Sequence, residues 1–384
     1  MSTTVYLVRH AEAEGNIGRR CHGIYNSMLT GRGREQAKVV GDRFRTIHLD
    51  SVYSSDLTRA RDTARAIAQP HGLPVIERPL LREIDMGDWE DRPWADLAKF
   101  DKEPYDIWCN QPWNSQPVGG ETIMQAGQRA FDEIGRIAKE NDGKYIAVVS
   151  HGTVIRGILT LACGLKPEQM MEVGWGDNTC VARLVYLDDG SIRVDYRNDN
   201  SHLPWELSTF YSLKWSSSVD VPISPQLWFR PVDFDNPEDH RLAMELFHAI
   251  YWPAYGEDAF TDDEIEQRLR GYQSVTPDAV SFGVYEDDVV GVIAMAATDD
   301  PDSDVGEMGG TGILPQYRGW GFAPQLMNQA VSVYRRLGKK RLRSHPSAVG
   351  KYGPRFYRQN DFVEVGKTED EKFLIMERKI TSDD

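Results

Sequence analysis

Arginine and histidine side chains follow several apolar runs in the first half of the chain. Arg9 and His10 end the first apolar run, and His151 ends a later one. Arg59 opens the helical pattern that follows a third run. Two unit charges about 4 Å apart interact by on the order of 4 kcal/mol at an effective dielectric of 20, so these groups repel one another without an anion. A dianionic phosphoryl group offsets that repulsion, and arginine binds its oxygens two at a time. The residue types therefore predict a phosphate site.

Alternating strands and helices must position these side chains. Apolar, β-branched runs predict strands at Thr4–Val8, Ser51–Ser55, Tyr145–Ser150 and Cys180–Leu187. Helical patterns lie between them, the first with Thr30 as its predicted N-cap. Such an order predicts an α/β domain with a largely parallel sheet covered on both faces. Functional groups gather at the carboxyl ends of the strands in such sheets, so we expect the four side chains to share one edge.

Length, charge and cysteine use limit the possible classes of protein. A chain of 384 residues predicts two domains. A net charge of −15 argues against nucleic acid or an anionic membrane as partner, and no apolar run approaches the roughly 18 residues of a membrane span. The four cysteines show no CxxC or metal-type spacing, which predicts reduced thiols, no metal and a cytoplasmic location. Small molecules are the expected partners, and an oligomer is left open.

The second half of the chain has a different composition and order. A Ser- and Pro-rich stretch predicts a linker at residues 213–226 between domains at 1–212 and 227–384. Beyond Lys214, 18 Lys and Arg stand against 29 Asp and Glu, which favours a cationic partner or simply a solvated acidic surface. The elements there predict an α+β domain with a mixed, mostly antiparallel sheet.

Four motifs in the first half resemble those of one known family. "LVRHAEAEGN", "YSSDLTRARDTA", "LREIDMGDWE" and "VSHGTVIRGIL" occur in the order and at the spacing of the histidine phosphatase superfamily, which includes the phosphoglycerate mutases. Ala11 stands where that family usually has Gly. The resemblance covers about residues 3–207 and implies a three-layer α/β/α domain of the phosphoglycerate mutase type.

The resemblance also implies a role for each motif residue. His10 would attack phosphorus as a neutral imidazole and form a phosphohistidine that water then hydrolyses. Glu83 would protonate the leaving alcohol and then activate the water. The phosphoryl oxygens would be bound by a set of donors, namely Arg9, Arg59, His151 and Asn16. The fixed cations replace a metal, so no cofactor is expected for this domain.

An aromatic stretch is expected to cover the predicted phosphate pocket. Residues 104–120 read as a Pro-containing loop, and the matching region of the family lies over the pocket and helps to select the alcohol. Trp108 and Trp113 are candidates for substrate binding, with simple packing as the alternative. The other histidines of the first half, His22 among them, are expected to be structural or solvated.

A glycine-containing loop in the second half resembles motif A of the Gcn5-related N-acetyltransferases (GNAT), which bind the pyrophosphate of acetyl-CoA. It has the form Q-x-x-G-x-G between a strand and a helix, where backbone N–H groups and the helix dipole favour an anion. The resemblance implies a set of acetyl-CoA-binding residues, namely Ile313, Leu314, Gln316, Arg318, Gly319, Gly321 and Phe322. It also suggests Tyr357 as proton donor to the CoA thiolate and Glu307 as base, with packing and solvated roles as the alternatives.

This second resemblance has two departures. Asp361 stands where the family usually has Gly, and residues 343–349 lack an Asn that is often found there. Three functions therefore stay open. One is a metal-independent phosphomonoesterase fused to an acyl-CoA-dependent N-acyltransferase, both acting on small metabolites such as an amine-bearing phosphate. The second is a phosphatase with a non-catalytic GNAT-like ligand-binding or scaffold domain, and the third is a phosphomutase.

Overall fold

The computed structural model describes residues 2–213, 225–255, 260–296, 303–350 and 353–382. The chain divides into two compact units. The first comprises Met1–Asn16, Arg20–Arg92 and Leu97–Ile223, and the second comprises Ile17–Arg19, Pro93–Asp96 and Ser224–Asp384. Most of the predicted linker, residues 214–224, lies outside the described residues, so the boundaries at 212 and 227 stay a prediction.

A six-stranded sheet forms the centre of the first unit. Its strands are β1 Thr3–Arg9, β2 Ser51–Ser54, β3 Val75–Glu77, β4 Tyr145–Ser150, β5 Val181–Tyr186 and β6 Ile192–Asp199. They lie in the order β3-β2-β4-β1-β5-β6. The first four are parallel, as predicted, whereas β5 and β6 are antiparallel to their neighbours. Strand β6 was not predicted, because its alternating polar residues form no apolar run.

Eight α-helices lie in the described first half of the chain, up to Leu213. They are α1 Glu14–Gly18, α2 Gly31–Phe44, α3 Thr58–Ala68, α4 Trp94–Phe100, α5 Lys102–Asn110, α6 Ile123–Glu140, α7 Gly152–Ala162 and α8 Thr209–Ser212. Thr30 caps α2 as predicted, since its hydroxyl accepts the N–H of Gly33 at 3.0 Å.

Helices α6 and α7 approach each other through two glycines. A Cβ built at Gly127 would lie 2.8 Å from the Cα of Gly157, and one built at Gly157 would meet Gly127 equally closely. Only glycine leaves room for this contact between the two backbones. The contact fixes α7, whose first turn follows directly on His151.

A seven-stranded sheet forms the centre of the second unit. Its strands are β7 Trp228–Pro231, β8 Val280–Tyr285, β9 Asp288–Ala296, β10 Val305–Ile313, β11 Arg341–Ser344, β12 Val363–Lys367 and β13 Leu374–Lys379. They lie in the order β12-β13-β11-β10-β9-β8-β7, and within the described chain only the β10–β11 pair is parallel. The helices are α9 Pro237–Tyr255, α10 Asp262–Gln273, α11 Phe322–Arg336 and α12 Gly353–Gln359. The predicted mixed, mostly antiparallel sheet is confirmed.

Strands β10 and β11 diverge after three residue pairs. They pair only from Val305 to Glu307, whereas β10 continues to Ile313 along β9. A bulge between Met308 and Gly310 marks the point of divergence. Among the described residues, Met308–Ile313 therefore have no strand partner on the β11 side. In the part of the chain that the structure describes, no helix has the length and apolar character that crossing a membrane requires.

Candidate active site

His10 directly follows β1, and the backbone carbonyl of the next residue holds its ring. Its Nδ1 is 2.7 Å from the carbonyl oxygen of Ala11. Because a carbonyl only accepts, Nδ1 carries the proton of the neutral ring and Nε2 keeps its lone pair. The side chain is buried, and its ring centroid is 5.1 Å from that of His151. His10 therefore has the tautomer that a nucleophilic imidazole requires.

His151 lies at the end of β4, immediately before α7. Its Nε2 is 2.8 Å from the hydroxyl oxygen of Ser55, which follows β2. That hydroxyl already accepts the N–H of Leu57 at 3.2 Å, so its own O–H is available to donate to Nε2. Nδ1 of His151 is buried without a hydrogen-bond partner among the described residues. In this arrangement Nδ1 carries the proton and is the atom left for an anion.

The two predicted arginines bring buried cations to the same place. Arg9 donates from Nη1 to the carbonyl of Gly176 at 2.6 Å, while its buried Nε has no partner in the described chain. Arg59, at the start of α3, donates to the carbonyls of Tyr25 and Gly23 at 2.8 and 2.6 Å. Carbonyls hold a guanidinium in place without neutralising it, so both charges remain available to an anion.

Burial and neighbouring cations control the protonation of the two histidines. Burial lowers the pKa of His10 well below its usual range, and Arg59 and Arg9 lower it further. Burial, Arg59 and His10 act in the same direction on the pKa of His151. Burial also lowers the pKa of Arg59 to about 10, which leaves the guanidinium charged at neutral pH. Both imidazoles are therefore neutral at pH 7 beside charged arginines.

Glu83 binds the N-terminus of α7. Its carboxylate accepts backbone N–H groups from Ile84, Thr153 and Val154 at 3.0, 3.1 and 3.0 Å. Helix N-termini favour carboxylates because their N–H groups lack partners within the helix. Since His151 is the residue that precedes α7, Glu83 is held next to the strand end that carries His151.

The remaining predicted phosphate ligand, Asn16, lies in helix α1. Its Oδ1 accepts the N–H of Ala13 at 2.9 Å, which fixes the amide and leaves Nδ2 as the donor for a further acceptor. Among the described residues, no group of three or more His, Cys, Asp or Glu side chains is arranged to hold a metal ion.

The stretch expected to be a loop over the pocket is partly helical. Helix α5 covers Lys102–Asn110, and a 3₁₀ turn follows at Pro112–Asn114. Pro104 lies in the first turn of α5, where a missing N–H costs no helical hydrogen bond, so it does not exclude the helix. Trp108 packs edge-on against Trp89, with ring centroids 6.1 Å apart, and Trp113 lies half-buried in the turn.

Glu90 supports the site although the sequence did not single it out. Its carboxylate accepts the N–H groups of Gly23, Ile24 and Tyr25, at 2.8 to 3.2 Å. The carbonyls of Gly23 and Tyr25 are the acceptors of Arg59. Glu90 therefore positions Arg59 through a three-residue loop. No spacing rule marks such a contact across the fold.

His22 is a second residue that was not expected at the site. The sequence placed it among structural or solvated histidines, and it is indeed buried against the carboxylate of Asp91, 3.0 Å from Nε2. However, it also contributes to the lowered pKa of His10, so it lies within electrostatic range of that imidazole. Burial lowers the pKa of His22 itself.

In the second unit, the glycine loop has the backbone that its sequence predicts. Gly319 and Gly321 have φ of 83° and 87°, and Gly321 is the N-cap of α11. A side chain at either position would be strained. Arg318 donates to the carbonyl of Ile313 at 3.1 Å, and Leu314 and Gln316 lie on the loop between them. Phe322 is buried in the core, so only its backbone is open to a ligand.

The two acyl-transfer candidates lie near the divergence of β10 and β11. Glu307 is the last β10 residue paired with β11, and its Oε1 accepts from Arg343 at 2.9 Å. Tyr357 packs on the core from α12, where burial raises its pKa and a hydrogen bond with Ser344 lowers it. The structure adds His345, which was not predicted, 3.7 Å from Oε2 of Glu307.

The backbone conformation at Asp361 explains why an aspartate can stand where the family usually has glycine. Its φ is 68°, in the left-handed region where glycine is favoured. Aspartate is one of the few residues that tolerate this region. The turn after α12 is therefore kept despite the substitution.

Two protein families match the chain in separate segments. Residues 5–200 match the model of the histidine phosphatase superfamily (branch 1), and residues 244–362 match that of the acetyltransferase (GNAT) family. The first segment includes all residues of the histidine site described above, from Arg9 to Gly176. The second includes the glycine loop, Glu307 and Tyr357.

Individual relatives match the first half of the chain. It is 35% identical over 166 residues to the adenosylcobalamin/alpha-ribazole phosphatase of Escherichia coli (strain K12), covering 43% of this chain and 82% of that protein. It is 35% identical over 204 residues to the metal-independent phosphoserine phosphatase of Arabidopsis thaliana, covering 52% and 83%. The solved structure of Bacillus stearothermophilus YhfR matches with 29% identity and a TM-score of 0.50, covering 52% of this chain and 98% of that chain. The chain therefore belongs to the histidine phosphatase superfamily, and its second half carries a region of the acetyltransferase (GNAT) family.

Proposed function

We propose that the chain is a bifunctional enzyme, a metal-independent phosphomonoesterase joined to an acyl-CoA-dependent N-acyltransferase. One observation carries the first activity. His10 offers an unprotonated Nε2, and Nδ1 of His151 has no hydrogen-bond partner among the described residues. Arg9 ends β1 and Arg59 lies in the first turn of α3, and both are buried. A neutral nucleophile surrounded by fixed donors suits attack on a phosphoryl group.

Hydrolysis follows from these residues in two steps. His10 Nε2 forms a bond to phosphorus as the ester P–O bond breaks, and Glu83 gives the leaving alcohol its proton. Glu83 then takes a proton from water, whose oxygen displaces His10 and releases phosphate. Arg9, Arg59, His151 and Asn16 bind the oxygens on which charge develops.

The second activity is supported by the shape of the β10–β11 cleft. The free side of Met308–Ile313 leaves backbone groups for the pantetheine arm of acetyl-CoA, and the start of α11 offers N–H groups to its pyrophosphate. When bound, acetyl-CoA supplies a thioester for transfer to an amine. In this proposal Ile313, Leu314, Gln316, Arg318, Gly319, Gly321 and Phe322 hold it, and Tyr357 provides a proton for the thiolate.

The proposed substrates are small metabolites, and an amine-bearing phosphate would suit both halves. Phosphoserine, named for the relative from Arabidopsis thaliana, belongs to this class. Trp108 and Trp113 would contribute to selection of the alcohol. The excess of acidic residues beyond Lys214 is compatible with a cationic amine.

Separate loss of the two activities tests this proposal. His10→Ala should abolish hydrolysis of a panel of phosphorylated metabolites while acetyl-CoA still binds, as measured by calorimetry. Gly321→Glu should abolish acetyl-CoA binding while hydrolysis persists, because φ at this position is 87° and the new carboxylate repels pyrophosphate. Retained hydrolysis in His10→Ala would overturn the phosphatase mechanism. Absence of acetyl-CoA binding in the unchanged protein would favour a scaffold role for the second half.

A phosphomutase remains the second candidate, because His10 could return its phosphoryl group to another hydroxyl. Turnover of a phosphorylated diol in ¹⁸O-labelled water separates the two. A hydrolase releases labelled inorganic phosphate, whereas a mutase yields an isomeric unlabelled ester.

A further inference from the structure

The end of β11 places an imidazole beside a carboxylate at the point where β10 and β11 separate. His345 follows β11 directly, and its Nδ1 is 3.7 Å from Oε2 of Glu307. The His345 side chain is 30% exposed, and Nδ1 is the nitrogen that faces the carboxylate. Neither the family comparison nor the motif spacing points to this histidine.

The Glu307 carboxylate is paired with an arginine, which weakens it as an acceptor for a proton from an amine. Its Oε1 accepts from Nη1 of Arg343 at 2.9 Å, and its Oε2 faces His345. Arg343 is held in turn by Glu377, which accepts from its Nε at 2.7 Å. Arg343 therefore competes for the Glu307 carboxylate. His345 is about as exposed as Glu307, 30% against 27%, and an imidazole is intrinsically a stronger base than a carboxylate.

The residue before His345 connects the same strand end to the candidate acid. Ser344, the last residue of β11, is hydrogen-bonded to Tyr357, whereas Arg343 and His345 on either side of it both lie against Glu307. A phenol and an imidazole are thus placed at one strand end.

We propose that His345 is the general base of the acyl transfer and that Glu307 holds its ring as a positioning residue. This inference rests on the proposed acyltransferase function. The sequence suggested Glu307 as the base, whereas here the neighbouring His345 takes the proton.

The step balances with these groups. His345 Nε2 takes one proton from the acceptor's ammonium, and the freed lone pair forms the C–N bond with the thioester carbonyl carbon. The C–S bond breaks, and Tyr357 gives the thiolate a proton. The nitrogen loses its second proton to solvent, from which Tyr357 is reprotonated, and His345 releases its proton to solvent. Ammonium and thioester thus become amide, thiol and one free proton.

The surroundings of His345 suit a base at neutral pH. Burial lowers its pKa and Arg343 lowers it further, while Glu307 raises it, so that the net direction is downward. The imidazole is therefore unprotonated at pH 7 and able to accept a proton. Glu307 stabilises the imidazolium that forms.

The test compares two proteins, His10→Ala and the double variant His10→Ala/His345→Gln. The His10→Ala change prevents hydrolysis of phosphorylated acceptors. The acceptors are phosphoserine, phosphoethanolamine and glucosamine 6-phosphate, and CoA release is followed with a thiol reagent. We expect kcat at pH 7.5 to fall about 10²-fold, with partial recovery at pH 9.5 where the amine loses its own proton. Acetyl-CoA affinity by calorimetry should be unchanged.

A matched control and a second readout distinguish the outcomes. His240→Gln removes another histidine paired with a glutamate, Glu266 on α10, and should leave kcat unchanged. By NMR, Glu307→Gln should lower the pKa of His345, because the carboxylate that raises it is lost.

Three results would overturn the inference. A wild-type rate and pH profile in His345→Gln, or binding of acetyl-CoA without turnover of any of the three amines, would remove the base assignment and leave acetyl-CoA binding intact. Absence of acetyl-CoA binding in His10→Ala would remove the acyltransferase proposal together with the inference.

Discussion

His10 and His151 present opposite ring nitrogens to one site. The carbonyl of Ala11 binds Nδ1 of His10, which frees Nε2, and the hydroxyl of Ser55 binds Nε2 of His151, which frees Nδ1. One ring can therefore attack while the other donates, although both are neutral. The difference arises from their partners and not from the rings themselves.

Ser55→Ala should weaken catalysis without removing any proposed ligand of the phosphoryl group. Loss of the hydroxyl releases the His151 ring, and a hydrogen bond of about 1–1.5 kcal/mol corresponds to roughly a 10-fold loss in kcat/KM. Ser54→Ala is the matched control, because Ser54 is equally buried but donates to the carbonyl of Ser55 at 2.7 Å. Equal effects of the two substitutions on hydrolysis would contradict the role of Ser55.

Glu83→Gln should slow hydrolysis to an extent that depends on whether the leaving group needs a proton. We expect kcat/KM for an alkyl phosphate to fall about 10²- to 10⁴-fold, because an alkoxide leaves poorly without a proton. For p-nitrophenyl phosphate the loss should be much smaller, since nitrophenolate needs no proton. Asp88→Asn, an exposed carboxylate five residues on, should change neither rate. The same loss with both substrates would argue against Glu83 as the acid.

The sequence located those site residues whose position follows from the strand or helix that carries them. Arg9, His10, Arg59 and His151 were predictable because strand ends in a parallel sheet converge, whatever the details of packing. Glu90, His22 and His345 were not, since each acts through a contact between segments far apart in sequence. Residues 104–120 were predicted to be a loop because they contain three prolines, but only Pro104 lies in α5, in a first turn that tolerates it.

The pH dependence of stability should become weaker when His151 is replaced. Its folded-state pKa lies below the ordinary value of 6.5, so only the unfolded chain takes up a proton as the pH falls from about 6.5. The free energy of unfolding that neutral His151 contributes therefore decreases as the pH falls below about 6.5, by up to about 1.4 kcal/mol per pH unit. Glu12 and Glu90, whose pKa values are raised by burial, act in the opposite direction in both proteins.

Urea unfolding at pH 7.5 and 5.5 measures this difference. The transition of the phosphatase domain is the one that added inorganic phosphate shifts. His151→Gln should reduce the loss of unfolding free energy between the two pH values. An identical loss in both proteins would show that His151 does not resist protonation in the folded state.

Two glycines of α6 should respond to alanine in opposite directions. Gly127→Ala forces a Cβ to within 2.8 Å of Gly157 and should destabilise the domain by about 1–3 kcal/mol. Beyond its chain neighbours and the backbone of its own helix, a Cβ at Gly135 meets no described atom within 4 Å. Gly135→Ala should therefore stabilise the domain by about 0.5–1 kcal/mol through helix propensity. Thermal unfolding of both variants checks the prediction. Destabilisation by Gly135→Ala would show that helix propensity does not govern that position.

Trapping the covalent intermediate tests the central claim most directly. The protein is mixed with a phosphorylated substrate, quenched in alkali within milliseconds and digested for mass spectrometry. We expect a phosphoryl group on the peptide that contains His10, stable in alkali and labile in acid, and absent from His10→Ala. A phosphoryl group on any other residue, or hydrolysis that continues in His10→Ala, would contradict it.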